Sequence, residues 1–254
     1  MNIENIYISC VRVDIVNMSR AINAIKYFIL SNLKVQVCVT NVYSFVLMHS
    51  DFDFKNVNNN SALVVPDGMP LVWVSKYFGK SIPERVSGPD LFNELCNVAS
   101  ENGYSFYFLG STEKTIERII FNLKMKFPKL LIAGGFSPPY KDIFCEEDNK
   151  IMINNINAVT PDILWVGMTA PKQEKWIHAN IDKLNVKVAI GIGAVFDFIA
   201  DNKKRAPRLM QNCGLEWLFR LMIEPKRLWR RYLIGNFIFL IIIFKSLICV
   251  KKNS

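Results

Sequence analysis

Pro161-Asp162-Ile163-Leu164-Trp165-Val166-Gly167-Met168-Thr169-Ala170-Pro171-Lys172-Gln173-Glu174 passes from an unbroken apolar run, through a glycine, into a helix start. Asp162–Val166 reads as a strand covered on both faces, because four consecutive apolar residues leave no polar side for water. Pro171 presets the backbone of a first helical turn, and the helical pattern continues to Ile181.

The same unit recurs outward in both directions. Strands are predicted at Val35–Val39, Ala62–Val65, Ser105–Leu109, Leu130–Ile132 and Val186–Ile190. Helical periods fall at Ser19–Leu30, Pro89–Ser100, Thr112–Lys126 and Lys150–Ala158, with Ser19 and Thr112 where N-caps stand. This alternation predicts an α/β fold, a doubly wound and mostly parallel sheet with helices on both faces. Ligands of such sheets bind beyond the carboxyl ends of the strands. Those ends carry Thr40-Asn41, Asp67-Gly68, Gly110-Ser111, Gly134-Gly135, Gly167 and Gly191/Gly193. The Asn-rich stretch Asn56–Asn60 reads as a loop.

Past residue 200 the character changes. Ala206–Met222 and Pro225–Val250 are helical stretches with no strand between them, so residues 1–200 form one domain and 201–254 a helical appendage. The chain carries a net charge of +9, and from Lys203 onward 12 Lys/Arg face two acids, which leaves the first 202 residues close to neutral. A basic tail on a neutral body points to an anionic partner: lipid head groups, a diphosphate or nucleic acid. Nucleic acid fits least, since the basic segment runs into apolar Phe237–Phe244 rather than polar sequence studded with aromatics. Leu233–Val250 is at the lower length limit for a spanning helix, and basic residues flank both ends. A helix lying in the membrane interface is the reading adopted here. The alternative, a tail packed on a sister subunit, leaves a homo-oligomer open.

Met1-Asn2-Ile3-Glu4 lacks the basic patch and apolar core of a signal peptide, so the domain is expected in the cytoplasm. Six scattered cysteines without a Cys-x-x-Cys pair read as reduced thiols, and two histidines are too few for a His-rich zinc site. Asp51-Phe52-Asp53 matches the metal-binding Asp-x-Asp pattern, but it sits in an expected polar loop away from the strand ends, and no metal is assigned to it. No glycine-rich phosphate loop is present, which argues against dinucleotide and P-loop enzymes.

Four sets of residues could carry chemistry. Asp67, directly after a buried strand, overlooks the ligand crevice from an apolar approach that raises its pKa, and is the candidate general base; an Asp-Gly turn or a helix cap is the plain alternative. In Glu84-Arg85-Val86-Ser87-Gly88-Pro89-Asp90, Arg85 faces a phosphate or acceptor, or else pairs with Glu84 while Ser87 or Asp90 caps the next helix. Gln173, in the turn Gly167–Glu174, offers the donor and acceptor that sugar recognition requires. Arg220, Arg227 and Arg230, spaced seven and three apart, share one face of a continuous helix and suit a diphosphate in place of a metal, or else lipid head groups.

Asn41-Val42, Pro66-Asp67-Gly68, Glu84-Arg85-Val86-Ser87-Gly88, Phe108-Leu109-Gly110, Ala170-Pro171-Lys172-Gln173-Glu174, Phe196-Asp197, Arg205-Ala206-Pro207 and Glu216-Trp217-x-x-Arg220 occur in that order. Together, over about Val35 to Tyr232, they resemble the WecG/TagA/CpsF family of bacterial glycosyltransferases. The resemblance implies a Rossmann-like core with a C-terminal appendage that binds the membrane and closes over the active site. It implies metal-independent, inverting transfer without a cofactor, from a UDP-sugar, often UDP-N-acetylmannosamine, to a sugar on undecaprenyl diphosphate. The place is the cytoplasmic face of the bacterial membrane, and the products are wall teichoic acid and other surface polysaccharides. Carried over by motif, Asp67 is the base, and Thr40, Asn41, Arg85, Gln173, Arg220, Arg227 and Arg230 bind substrate. A different donor, UDP-glucose or UDP-glucuronate, and a non-catalytic membrane scaffold stay open as alternatives. The sequence departs from the family pattern where Thr40 directly abuts Asn41, where Thr169 replaces the usual Gly or Ser, and where Asp201 replaces a frequent Gly.

Overall fold

The computed structural model describes residues 3–252, with side chains as far as Ile248. Met1 and Asn2, and the side chains of Lys251 and Lys252, which bear on the signal-peptide and flanking-charge readings, lie outside the described set. The strands are β1 (Asn5–Ile8), β2 (Val11–Asp14), β3 (Val35–Thr40), β4 (Leu63–Pro66), β5 (Ser105–Gly110), β6 (Leu131–Phe136), β7 (Ile163–Gly167) and β8 (Val188–Gly191). β3 to β8 form one six-stranded sheet in the order β4-β3-β8-β7-β5-β6, with every pairing parallel.

Successive side chains of a strand point to opposite faces, and here both faces are apolar. Phe106, Phe108, Ile163, Trp165, Val188 and Ile190 pack under helices Met18–Leu30, Gly88–Asn102 and Glu113–Lys126. The intervening Tyr107, Leu109, Leu164, Val166 and Ala189 pack under helices Glu146–Asn157 and Lys172–Asn180. The doubly wound sheet read from the sequence is the sheet observed.

Local details differ. Asn17, not Ser19, caps the first helix, accepting from the Arg20 amide, whereas Thr112 caps its helix as expected. β6 runs four residues beyond its predicted end. Asn56–Asn60 is not a loop: it closes helix Phe52–Asn60, whose buried Phe54 and Val57 anchor a segment too polar to register as periodic. β1 and β2 form an antiparallel hairpin turned by Ser9 and Cys10, both at positive φ, without the Asn-Gly signal that marks such turns.

The tail is helical but not continuous. Arg208–Asn212 ends at Gly214 in the left-handed region, Glu216–Ile223 ends at Glu224, and Pro225–Trp229 then continues through a π-helical turn, Arg230–Ile234, into Gly235–Lys252. The stretch Pro225–Ile248 is long and apolar enough to cross a membrane. One face of it is nevertheless taken. Phe239 and Ile243 are buried among Ile6, Ile8, Val11 and Val13, and Phe239 meets Phe45 edge-on at 5.2 Å. Phe237, Leu240, Phe244 and Ile248 face outward, exposed.

Candidate active site

A crevice of about 710 Å³ opens beyond the carboxyl ends of β3 to β8. Each strand end contributes to it, through Asn41, Asp67, Ser111, Ser137, Gly167 and Gly191 in chain order. The tail closes over it with Gly214, Glu216, Trp217, Arg220, Arg227 and Arg231.

Asp67 follows β4, and its amide donates to the Thr40 carbonyl at 2.8 Å, which fixes its backbone to the neighbouring strand end. Gly68, not Asp67, occupies the cap of helix Met69–Ser75, so the capping alternative falls away. Among the described residues its carboxylate makes no hydrogen bond. Burial, reinforced by the negative charge of Glu216, pushes its pKa up to about 6 against the opposing pull of Arg85, Arg205 and Arg220. A carboxylate near that value is ionised at neutral pH yet can hold a transferred proton.

Arg85 pairs across the crevice with Glu216 at 3.1 Å rather than with Glu84, which instead accepts from the Met18 amide. Arg205 grips Asp90 through two bonds, at 2.6 and 2.8 Å, and reaches Glu216 at 3.5 Å. Ser87 caps helix Gly88–Asn102 and also bonds Asp90 and Arg205. Two guanidiniums and two carboxylates thus neutralise one another and latch the tail to the β4 side of the sheet.

Asn41 caps helix Val42–Leu47 by accepting from the Ser44 amide and lines the crevice beside Asp67. Thr40 does not line it. Its hydroxyl is buried and donates to Asn58 Oδ1 at 2.6 Å, because strand alternation turns it away from the side its neighbour faces. Gln173 is on the crevice floor but engaged: Oε1 accepts from the Met168 amide at 3.3 Å and Nε2 donates to Glu174 at 2.8 Å. A side chain at Gly191 would run into it, so that glycine makes room for the amide. Glu174 is buried in the same wall, its pKa raised to about 7 by burial, and its Oε2 has no hydrogen-bond partner among the described residues. Asp51 caps helix Phe52–Asn60 and pairs with Lys175 at 2.7 Å, both structural tasks.

The three tail arginines do not share one face. Arg220 lines the crevice, with its guanidinium 5.5 Å from the Phe198 ring. Arg227 also lines it and pairs with Glu224. Arg230 is exposed, stacked on Trp229 at 5.3 Å, and does not line it. The spacing argument assumed one unbroken α-helix. The break at Glu224 shifts the angular phase after Arg220, and beyond it Arg231, four residues on from Arg227 and so on the same helical face, lines the crevice in place of Arg230.

A model of the Glycosyl transferase WecG/TagA/CpsF family matches residues 6–253. The chain belongs to that family. An N-acetylglucosaminyldiphosphoundecaprenol N-acetyl-beta-D-mannosaminyltransferase of Bacillus spizizenii is 34% identical over 180 residues, 71% of this chain and 67% of the relative. The Bacillus subtilis protein of that name is 32% identical over 183 residues, 72% and 69% of the two chains. The Staphylococcus aureus one is 28% identical over 172 residues, 68% and 65%. The aligned stretch therefore spans about two-thirds of these relatives.

Of the three departures from the family's motifs expected from the sequence of this WecG/TagA/CpsF glycosyltransferase, two share one backbone feature. Thr169 and Asp201 both sit at positive φ, 67° and 53°, the left-handed region glycine enters without strain. Sequence reasoning gave no role to Arg231 or Glu174, and Glu216 and Arg205 entered only as motif letters. The last two could have been found by pairing tail acids and bases with Arg85 and Asp90. Arg231 could have been found as well, since it stands four residues beyond Arg227, on one helical face.

Proposed function

We propose that this glycosyltransferase moves N-acetylmannosamine, with inversion, from its UDP-linked form to the N-acetylglucosamine of an undecaprenyl-diphosphate-linked acceptor, at the cytoplasmic face of the membrane. The names of the relatives support the acceptor and the sugar. The observation that carries the chemistry is Asp67: a carboxylate without a hydrogen-bond partner among the described residues, its pKa raised to about 6, at the strand ends of a crevice rimmed by guanidiniums.

Asp67 accepts the proton of the acceptor hydroxyl as that oxygen attacks the anomeric carbon. The bond to the diphosphate oxygen breaks on the opposite side, and UDP departs with the electron pair. Negative charge gathering on the leaving diphosphate is met by Arg220, joined by half-exposed Arg227 as its pair with Glu224 loosens. Arg85 is held by Glu216 and contributes once that pair opens. Asn41 presents its amide to a sugar, and Gln173 braces the turn at Met168. These cations supply the charge that a metal provides in other transferases, so turnover continues in EDTA. The outward apolar side of Gly235–Lys252 keeps the crevice at the bilayer surface, where the lipid-linked acceptor resides.

The test is a panel of radiolabelled UDP-sugars offered with one prenyl-diphosphate-linked N-acetylglucosamine in EDTA. Transfer from UDP-N-acetylmannosamine, lost in Asp67→Asn with UDP binding retained, is the expected result. Preferential transfer from UDP-glucose or UDP-glucuronate would overturn the donor, and full turnover by Asp67→Asn would remove the base.

A further inference from the structure

The side-chain amide of Gln173 is oriented from both ends. Its Oε1 accepts from the Met168 amide, and its Nε2 donates to Oε1 of Glu174 at 2.8 Å. A backbone N–H can only donate and an ionised carboxylate can only accept. Turning the amide over would therefore set oxygen against oxygen at Glu174 and N–H against N–H at Met168. Beneath the amide lie Gly191 and Gly193, which line the crevice and offer it a floor without side chains. One N–H and one oxygen lone pair of Gln173 are left over, in a fixed sense, for a ligand.

The carboxylate that sets this sense has no comparable structural task. The backbone of Glu174 is already fixed, since Gln36 of β3 donates from Nε2 to its carbonyl at 2.9 Å. Its side chain is buried in the crevice wall, bonds Gln173, and leaves Oε2 without a hydrogen-bond partner among the described residues. Arg231 of the tail favours its ionised form, and the buried Cys38 thiol of β3 feels its charge. A half-satisfied buried carboxylate destabilises a fold relative to a neutral side chain of the same size. Set against that cost is the orientation it imposes on Gln173.

We infer that Glu174 is a positioning residue, whose carboxylate locks the Gln173 amide in the one orientation that reads a polar group, a hydroxyl or an acetamide, of the substrate sugar. The inference rests on the transferase reading of the same crevice. A hydrogen bond to a charged group is worth roughly fivefold to tenfold more in an equilibrium than a neutral one.

The experiment is a double-mutant cycle on the full chain in detergent micelles, with prenyl-diphosphate-linked N-acetylglucosamine and the UDP-sugar that the donor panel selects. Glu174→Gln is equal in size but free to present either end of its own amide, and it is expected to lower kcat/KM roughly fivefold to tenfold. Glu174→Leu removes the acceptor and should lower it further. In a Gln173→Ala background both substitutions should change kcat/KM by less than about twofold, because the group they act through is gone. Losses that persist undiminished there overturn the inference and leave the transferase reading intact. Wild-type kcat/KM should also show a step near pH 7 that Glu174→Gln lacks, and the same step in both proteins counts against the role. Thermal melts separate positioning from support. The folded pKa of Glu174, about 7, lies above its unfolded value near 4.5, so the stability given by its protonated form is present below 4.5 and lost as pH rises through 7. Glu174→Gln should therefore melt above wild type at pH 8; a lower melting point gives the carboxylate a structural task and overturns the inference. If no UDP-sugar is transferred, the transferase reading fails, and the same cycle run calorimetrically on the binding of UDP-N-acetylmannosamine decides the role of Glu174. Additive losses there would sink it.

Discussion

The sheet and the tail of this molecule are held by different forces. Along β5, β7 and β8 nearly every side chain is buried on both faces, and large rings interlock: Trp165 meets Phe92 at 4.8 Å and Phe106 at 5.5 Å. The helices Arg208–Asn212 and Glu216–Ile223 have no buried residue at all. They are tied down by ion pairs, Arg85–Glu216, Arg205–Asp90 and Lys203 with both Asp197 and Glu224, and further on by one apolar seam at Phe239 and Ile243. Apolar burial contributes about 25 cal/mol per Å² and is not screened by salt, while partly exposed ion pairs are worth about 0–1 kcal/mol each and are screened. The carboxylate proposed as the base therefore stands on the rigid region, and the tail cations come from the region that opens at least cost.

Five substitutions probe that contrast. Asp67→Asn on the rigid side should lower the transfer rate by about 10²–10⁴-fold, the usual worth of a general base. Its stability should move the other way. The folded pKa of Asp67, about 6, lies above its unfolded value near 3.8, so the protonated form favours folding below the lower value and that benefit is lost as pH rises through 6. Thermal melts should show Asp67→Asn more stable than wild type at pH 7.5 and indistinguishable at pH 3.5; a destabilised variant at pH 7.5 contradicts the burial argument.

Next in size is the paired replacement of two phenylalanines. Phe108→Ala, in the middle of the sheet, should cost about 3–5 kcal/mol in denaturant unfolding. Phe239→Ala should cost less than half of that, and hydrogen exchange should quicken in Pro225–Ile248 before β5 or β7 responds. Equal global losses would mean that the tail folds as part of the core.

Glu216→Gln breaks the latch and should cost about 1–2 kcal/mol, since both guanidiniums it holds are partly buried. Removing its charge also removes a force that raises the pKa of Asp67. The acid limb of the pH–rate profile, expected near 6 in wild type, should move to lower pH, and an upward move would contradict the assignment. The smallest effect is at Thr169. Glycine there relieves left-handed strain of about 1–2 kcal/mol but adds unfolded-state freedom, so Thr169→Gly should gain under about 1 kcal/mol in melting experiments.

The split between the two regions is also the split between what could be read and what could not. β5 and β7 were legible because an uninterrupted apolar run rich in aromatics has few other ways to hide both faces from water. The crevice was legible as a place, since parallel strands with crossover helices leave their carboxyl ends open, and Asp67, Asn41 and Gln173 all line it. Where burial comes from a distant partner, the pattern failed. Helix Phe52–Asn60 looks like a polar loop until its Phe54 is set against the hairpin, and that hairpin turns on two residues without a turn signature.

The amino-acid sequence by itself determined the strand–helix alternation, the carboxylate at the tip of β4 and the cationic character of the tail, because each depends on side-chain chemistry within a few neighbouring positions. Only the tertiary structure decided that Thr40 faces the core, that Arg85 is answered by Glu216, and that Arg231 rather than Arg230 enters the crevice. Those outcomes depend on a partner 18 residues away for Thr40, on one 131 residues away for Arg85 and on how a broken helix docks for Arg231, and local spacing carries none of them.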